Sequence, residues 1–325
     1  MKIVHLVLSN VYAGIEQHVN ELTLNLEQES DVNVSIICNK EIASKFESSN
    51  IEVINNFSRR SPVGLIKLLI KLYKIKPDII HTHGSKTTSI INILKKFLSL
   101  EHVATAHGIK NKTSVYKKAT KLITVSQIAK KSINAPSVVI NNWYPPIVYG
   151  KKSLNNDYVL AVGRLEKVKG FDLLIQSWIN IEDNLIIIGS GKEYDSLINL
   201  IYHYKLEAKI QIISEMSQED LTDYYQNASM LVISSRSEGG PRVALEALYQ
   251  EIPVISTSVG HMPEILPKEL LAEPDNLDSL RSLLETYVGN KNYSQDSIYQ
   301  YIKQEFSGIS QSKKILNIYR ELFVS

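Results

Sequence analysis

Four groups of residues in this sequence have the types and spacing to do chemistry. The segment VGRLEKVKG sets Arg164 and Lys169 between Gly163 and Gly170, with Glu166 the only acid among them. A guanidinium offers a planar fork and an ammonium a point charge, and together they suit a diphosphate. The segment SEGGPR places Glu238 before Gly239, Gly240 and Pro241, and Glu246 follows. The two glycines expose backbone amides, and the helix expected from Pro241 aims its positive end at whatever sits there. Carboxylates in such a loop accept hydrogen bonds from hydroxyls. Cations and carboxylates together describe a site for a polyhydroxylated phosphate. His81 and His83 in HTHG and His107 in TAHG form the third group. They admit two readings: a metal held by His-x-His, or hydrogen bonds to a polar ligand. No nearby carboxylate completes a metal set, so the expectation is a polar ligand and no metal. The fourth is Gly14 in AGIE, where a glycine before a helix lets amides approach an anion.

All four groups fall in or beside loops that follow apolar runs. Ile3–Leu8 is a continuous apolar run of the kind a buried parallel strand requires. The spacing then predicts helix over Glu16–Glu29, strand Val32–Cys38, helix Pro62–Lys74, strand Asp78–His81, helix Ser89–Leu98, and strands His102–Ala106 and Leu122–Val125. The rhythm repeats. Strands are expected at Tyr158–Val162, Asn184–Ile188, Ile210–Ile213, Met230–Ile233 and Pro253–Ser256, alternating with helices at Asp172–Trp178, Tyr194–Tyr204, Glu219–Gln226 and Pro241–Tyr249. Two runs of βαβα predict an α/β protein of two Rossmann-like, doubly wound parallel-sheet domains facing each other across a cleft. Ligands of such sheets bind beyond the carboxyl ends of the strands, where the four groups lie.

Composition narrows the class. With 325 residues, 44% hydrophobic and 22% charged, the chain is a folded protein of about two domains. Its one cysteine rules out an internal disulfide and a cysteine zinc cage. Residues 1–150 carry a balance of +9 and residues 151–325 one of −7, against a net +2. That asymmetry suggests two units with different tasks. The expected boundary is the stretch Asn141–Gly150, where Pro145-Pro146 forbids helix. The apolar start of the chain is too short for a signal peptide, and no run reaches the roughly 18 residues of a membrane span. The expected location is cytoplasmic. The helix GLIKLLIKLYKIK mixes leucine and isoleucine with Lys67, Lys71, Lys74 and Lys76, a pattern that can lie on an anionic leaflet.

The motifs in this order resemble the retaining GT-B glycosyltransferases of family 4, the bacterial surface-polysaccharide type among them. Glu238 and Glu246 match that family's E-x7-E signature, and Gly163–Gly170 matches its phosphate loop. The segments PVISTSVGHMPEIL, DIIHTHGSK, Thr105–Gly108 and LITVSQ resemble further motifs, so the likeness runs over nearly the whole chain. Ala13, Ser214, Ser258 and His261 stand where the family usually has other residues. The resemblance implies residues 1–145 as an acceptor-binding domain and 146–309 as a nucleotide-sugar domain. It implies a helix over 310–325 that crosses back to the first domain. It implies no cofactor and no metal, the nucleotide sugar being the substrate, with a UDP-sugar favoured over a GDP-sugar. Carried over, Arg164 and Lys169 bind the diphosphate, and Glu246 the ribose. Glu238 and the amides of Gly239 and Gly240 position the sugar, which His107 contacts. Gly14 and Gly163 approach the donor, and Gly189 and Met216 shape the nucleotide pocket. His81, His83 and Lys86 lie on the acceptor side. The expected acceptor is a saccharide or lipid-linked saccharide of a polysaccharide or lipopolysaccharide pathway, with peripheral attachment to the inner membrane face and no nucleic acid as partner. A sugar-nucleotide epimerase and a non-catalytic nucleotide-sugar binder are the alternatives.

Overall fold

The structure is a computed structural model that describes residues 1–55, 57–109, 113–144, 158–290 and 294–324. It divides into two compact units, residues 1–142 with 308–325, and residues 143–307. The linker expected across Pro145-Pro146 lies outside the described residues.

The first unit alternates strand and helix as its apolar runs dictate. Its elements are β1 (Lys2–Val7), α1 (Gly14–Glu27), β2 (Asn33–Asn39), α2 (Lys40–Ala43), β3 (Ile51–Ile54), α3 (Pro62–Ile75), β4 (Ile79–His83), α4 (Ser85–Leu94), β5 (Glu101–Ala106), β6 (Lys121–Thr124), α5 (Gln127–Lys131) and β7 (Val138–Val139). The sheet order is β3-β2-β1-β4-β5-β6-β7, every pairing parallel. β1 and β4 are covered on both faces, which is why they read as unbroken apolar runs rather than alternating ones. Two of the strands escape the periodicity. β3 is four residues long and mostly half-exposed, and β7 spans two residues; both are edges, where one-sided burial leaves no apolar run. β4 extends two residues beyond the expected Asp78–His81, so His81 and His83 both lie within the strand and share a face. α4 begins at Ser85, four residues ahead of the expected start, because the chain turns at Gly84 directly into helix.

The second unit repeats the plan with β8 (Tyr158–Val162), α6 (Phe171–Ser177), β9 (Asn184–Ile188), α7 (Tyr194–His203), β10 (Ile210–Ile213), α8 (Gln218–Asn227), β11 (Ala228–Ile233), α9 (Arg242–Tyr249), β12 (Val254–Thr257), α10 (Met262–Ile265), β13 (Leu271–Ala272), α11 (Leu277–Tyr287) and α12 (Asp296–Glu305). Its order is β10-β9-β8-β11-β12-β13, again parallel throughout. Its core joins Leu160, Ile187 and Leu231 of the strands to Tyr225 and Leu248 of the covering helices and to Trp178, which follows α6. The final helix, α13 (Gly308–Val324), belongs to the first unit. It buries Ile315, Leu316 and Tyr319, and Ser312 accepts a bond from Asn25 of α1 at 3.0 Å. Arg320 pairs with Asp31 and Glu29.

In each sheet the strand order reverses beside the first strand: between β1 and β4, and between β8 and β11. The loops leaving those strands diverge and open a crevice at the carboxyl edge. That is where each unit can hold a ligand.

Candidate active site

In the second unit the two loops at the switch point are tied together. After β8 the chain runs through Gly163 to Gly170, and after β11 through Ser234 to Pro241. Lys169 Nζ donates to Glu238 Oε1 at 2.6 Å, and Ser235 Oγ donates to the same oxygen at 2.9 Å. Both charged side chains are about five-sixths buried, at 17% and 16% exposure. Ser234 Oγ donates to the Lys169 carbonyl at 3.0 Å, and Arg236 N to the Val168 carbonyl at 2.8 Å. Gly170 has φ +68, and a Cβ there would lie 2.0 Å from the Ser234 carbonyl oxygen. Only glycine permits the Lys169 backbone to lie this close to the end of β11.

Arg236 is a second tie. Its guanidinium forks onto both oxygens of Asp172, at 2.7 and 2.9 Å, and reaches Asp275 at 2.6 Å. Burial pushes the Asp172 carboxyl up, but the bonds from Arg236 and Lys167 outweigh it and hold it below the usual carboxylate range. The Arg236 guanidinium is thereby occupied in fastening α6 to the β11 loop.

The remaining donor-side candidates distribute unevenly. Arg164 does not join the Lys169–Glu238 pair; it is exposed and pairs with Glu166 of its own loop at 2.7 Å. Glu246 is buried on α9, where Tyr225 donates to its Oε2 at 2.8 Å. Burial, the Glu246 charge and that bond all push the Tyr225 phenol well above its ordinary value, so Tyr225 stays a donor. Gly239 and Gly240 lie half-buried before α9, which begins at Arg242 with Pro241 at its N-cap rather than inside the first turn. Gly163 is packed by Lys169, whose Cε would stand 3.1 Å from a Cβ there. A Cβ on Gly189 would lie 1.9 Å from the Gly163 carbonyl, so the β8 and β9 ends require it. Met216 is half-buried against the core, and Ser190 accepts from Glu215 N at 3.2 Å beside it.

In the first unit the carboxyl edge is built of imidazoles. His5 of β1 stands opposite His81 of β4, and Thr105 of β5 opposite His83. His81 is fully buried: Tyr319 of α13 lies 2.5 Å from its Nδ1, and Thr105 lies 2.7 Å from its Nε2. Both ring nitrogens therefore meet the protein's own hydroxyls, behind the edge rather than at it. His83 lies between His5 and His107, 3.1 Å from each. His107 is half-buried. Ring nitrogens of His5, His81 and His83, and of His18, His83 and His107, lie within 4.8 Å of one another and could hold a metal. The 3.1 Å contacts engage both nitrogens of His83 and one each of His5 and His107 in imidazole–imidazole hydrogen bonds. Lys86 of α4 donates to the Leu8 carbonyl at 3.3 Å, and burial together with Arg59 lowers its ammonium below the ordinary value. Gly14 opens α1 with no atom within 4 Å of a Cβ position, and Glu16 accepts from Ala13 N at 3.0 Å.

The sequence reading did not single out His5, Tyr225, Ser235, Arg236 or Tyr319. For most of them the partner lies far along the chain: 78 residues separate His5 from His83, and 238 separate His81 from Tyr319. Ser235 and Arg236, three and two residues before Glu238, carried a local signal.

The chain resembles known proteins over nearly its full length. Residues 12–143 match the family described as Glycosyltransferase Family 4, and residues 150–304 match Glycosyl transferases group 1. Over 324 residues it is 29% identical to an uncharacterized glycosyltransferase of Methanocaldococcus jannaschii, covering 90% of each chain. It is 28% identical over 204 residues to the amylovoran biosynthesis glycosyltransferase AmsD of Erwinia amylovora, 58% of this chain and 54% of that one. Among solved structures, Anabaena HepE in complex with UDP and glucose shares the fold, with a TM-score of 0.84 at 17% identity over 99% of this chain and 100% of that one. Two family matches in chain order, one on each Rossmann-like unit, and a likeness of fold over both establish that the chain belongs to the family 4 glycosyltransferases of the GT-B fold.

Proposed function

We propose that this glycosyltransferase moves a hexose-type sugar from a nucleotide sugar to a saccharide or lipid-linked saccharide, with retention and without a metal. UDP-sugars are the favoured donors and GDP-sugars the second choice. The observation that carries the reading is the Lys169–Glu238 pair at the switch point of the second unit. HepE is described with UDP and glucose bound, and AmsD is named as an amylovoran biosynthesis glycosyltransferase, which supports both the donor class and a biosynthetic pathway of that kind.

The chemistry follows from charge. Breaking the bond from the sugar to the diphosphate puts negative charge on the leaving group as the anomeric carbon becomes electron-poor. Lys169, the amides of Gly239 and Gly240 and the N-terminus of α9 meet that charge, the role a metal plays in other enzymes. An arriving diphosphate draws Lys169 from Glu238 and leaves that carboxylate to accept sugar hydroxyls. Glu246, oriented by Tyr225, accepts from the ribose. Arg164, exposed in its loop, swings from Glu166 to the diphosphate. The acceptor hydroxyl attacks the face the diphosphate leaves, and its proton passes to the departing phosphate oxygen.

The test is thermal unfolding with UDP-, GDP-, ADP- and dTDP-sugars, each with and without EDTA. One nucleotide class is expected to stabilise the chain by about 2.7 kcal/mol at a hundredfold excess over Kd, with EDTA making no difference. A shift abolished by EDTA overturns the metal-free site. No shift from any donor overturns the donor site.

The lipid-linked acceptor draws support from α3. That helix buries Gly64, Leu68 and Leu72 and turns an apolar stripe outward: Val63, Ile66, Ile70 and Tyr73 are 62%, 56%, 51% and 53% exposed. Tyr73 donates to the Phe97 carbonyl at 2.5 Å, and Phe97 is itself 59% exposed. Lys67, Lys74 and Lys96 are exposed around it. An outward apolar stripe among lysines fits an anionic bilayer surface. No described helix is long and apolar enough to cross a membrane. The protein is expected to sediment with phosphatidylglycerol vesicles and not with phosphatidylcholine vesicles, more weakly as salt rises. Replacing Ile66 and Ile70 together by glutamate is expected to release it. Equal binding to both vesicles, or none, overturns the membrane reading.

A further inference from the structure

Arg236 stands two residues before Glu238, yet its side chain bonds away from its own loop. The guanidinium meets four acceptor atoms. Nε donates to Asp275 Oδ1 at 2.6 Å, Nη1 to the Lys167 carbonyl and to Asp172 Oδ1, each at 2.7 Å, and Nη2 to Asp172 Oδ2 at 2.9 Å. Four of the five guanidinium N–H groups are thereby spent. The charge is matched as well. Asp172 and Asp275 offset Arg236 and Lys167, which also donates to Asp172. A cation held among such partners adds little attraction for an anionic ligand.

Lys167–Lys169 form one short 3₁₀ turn. Carbonyls at the end of such a turn need donors from outside it. Here three consecutive carbonyls take them from the β11 loop. Lys167 accepts from Arg236 Nη1 at 2.7 Å, Val168 from Arg236 N at 2.8 Å, and Lys169 from Ser234 Oγ at 3.0 Å. Arg236 supplies two of the three. Its remaining arms reach Asp172 in the first turn of α6 and Asp275 beyond β13. The backbone is thus gripped immediately before the residue whose ammonium faces Glu238 at 2.6 Å.

A cation that meets developing charge works best when its place is set before the ligand arrives, because nothing then has to reorganise. We infer that Arg236 is a positioning residue: it fixes the Lys167–Lys169 turn so that Lys169 is presented to the diphosphate, and it does not itself bind that group. The inference rests on the reading of Lys169 as a ligand of the donor.

The test is a double-mutant cycle read by calorimetric titration with UDP, GDP, ADP and dTDP, none of which needs an acceptor. The nucleotide that binds the wild type best serves for the variants. Arg236→Gln is expected to weaken it on the order of tenfold, within the range of coupled contacts. Arg236→Lys keeps the charge but cannot fork onto Asp172 while holding the Lys167 carbonyl, and is expected to lose as much. In Lys169→Ala protein, Arg236→Gln is expected to cost less than about twofold, since no ammonium is left to misplace. If the Arg236 variants do not fold, Asp275→Asn decides. Asp275 has φ +57, which asparagine accepts, and the change weakens the Nε arm alone. Its expected loss is about two- to threefold, again only where Lys169 is present. Retained affinity in Arg236→Lys, or an equal loss with and without Lys169, makes Arg236 a ligand and overturns the inference. A lower melting temperature with unchanged affinity makes it a structural tie and overturns it too. A wild type that binds none of the four nucleotides, or a Lys169→Ala variant that binds as the wild type does, overturns the donor-site reading itself.

Discussion

Lys169→Ala is expected to lower kcat/KM by about 10²- to 10³-fold, the loss seen when one preorganised donor to a developing negative charge is removed. Glu238→Gln is expected to lower it comparably, because the carboxylate that accepts from the sugar becomes an amide. The two residues also hold each other, at 2.6 Å and about five-sixths buried. Removing one leaves the other charge in a half-dry crevice. For a fully buried pair the cost is 3–5 kcal/mol; here the residual exposure and the Ser235 hydroxyl reduce it to about 1–2 kcal/mol. Each single variant should therefore unfold at a somewhat lower temperature. The double variant Lys169→Met with Glu238→Gln should regain most of that stability and none of the activity. Steady-state kinetics and thermal unfolding of the three variants separate the two roles. Retention of wild-type rates by any of them would sink the donor-site assignment.

The second large effect is structural. Gly170→Ala is expected to destabilise the protein by about 3 kcal/mol. A left-handed conformation costs a residue with a Cβ roughly 1–2 kcal/mol, and φ at Gly170 is +68. The added carbon would also meet the Ser234 carbonyl oxygen at 2.0 Å, and backbone on both sides must move, a cost of about 1–3 kcal/mol. At about 2–4 °C per kcal/mol, unfolding should come roughly 6–12 °C lower. The displaced segment carries Lys169, so the shift produced by a donor should shrink as well. Gly14→Ala is the control, since nothing lies within 4 Å of its Cβ position. It is expected to stay within about 0.5 kcal/mol of wild type. Equal stability of the two variants would show that the β8 and β11 loops do not depend on that close approach.

Much of this was legible in one dimension. The strands Tyr158–Val162, Asn184–Ile188 and Ile210–Ile213 occur where the apolar runs predict them, to the residue. β8 and β9 lie inside their sheet, where cover on both faces favours a continuous apolar run; β10 is an edge strand, yet three of its four residues are isoleucine. β3, β7 and β13 were not legible: β7 and β13 are two residues long, and β3 sets Glu52 among its apolar residues. That Gly163, Lys169 and Glu238 lie in loops at strand ends was legible for a related reason: each follows directly on an apolar run that ends where its strand ends.

What the sequence by itself determined was the number of units, the parallel α/β architecture and the loops in which chemistry resides. These depend on short-range periodicity and on residue types within a few positions of one another. Only the tertiary structure decided which charges meet. It joined Lys169 to Glu238 across 69 residues and left Arg164 with its neighbour Glu166. It gave Glu246 its Tyr225, and it placed Tyr319 of the last helix against His81. It assembled His5, His83 and His107 from two neighbouring strands and the loop after a third. The physical reason is the parallel sheet. Neighbouring strands in such a sheet are separated by a whole crossover, so groups a few ångströms apart at its carboxyl edge are tens of residues apart in the chain.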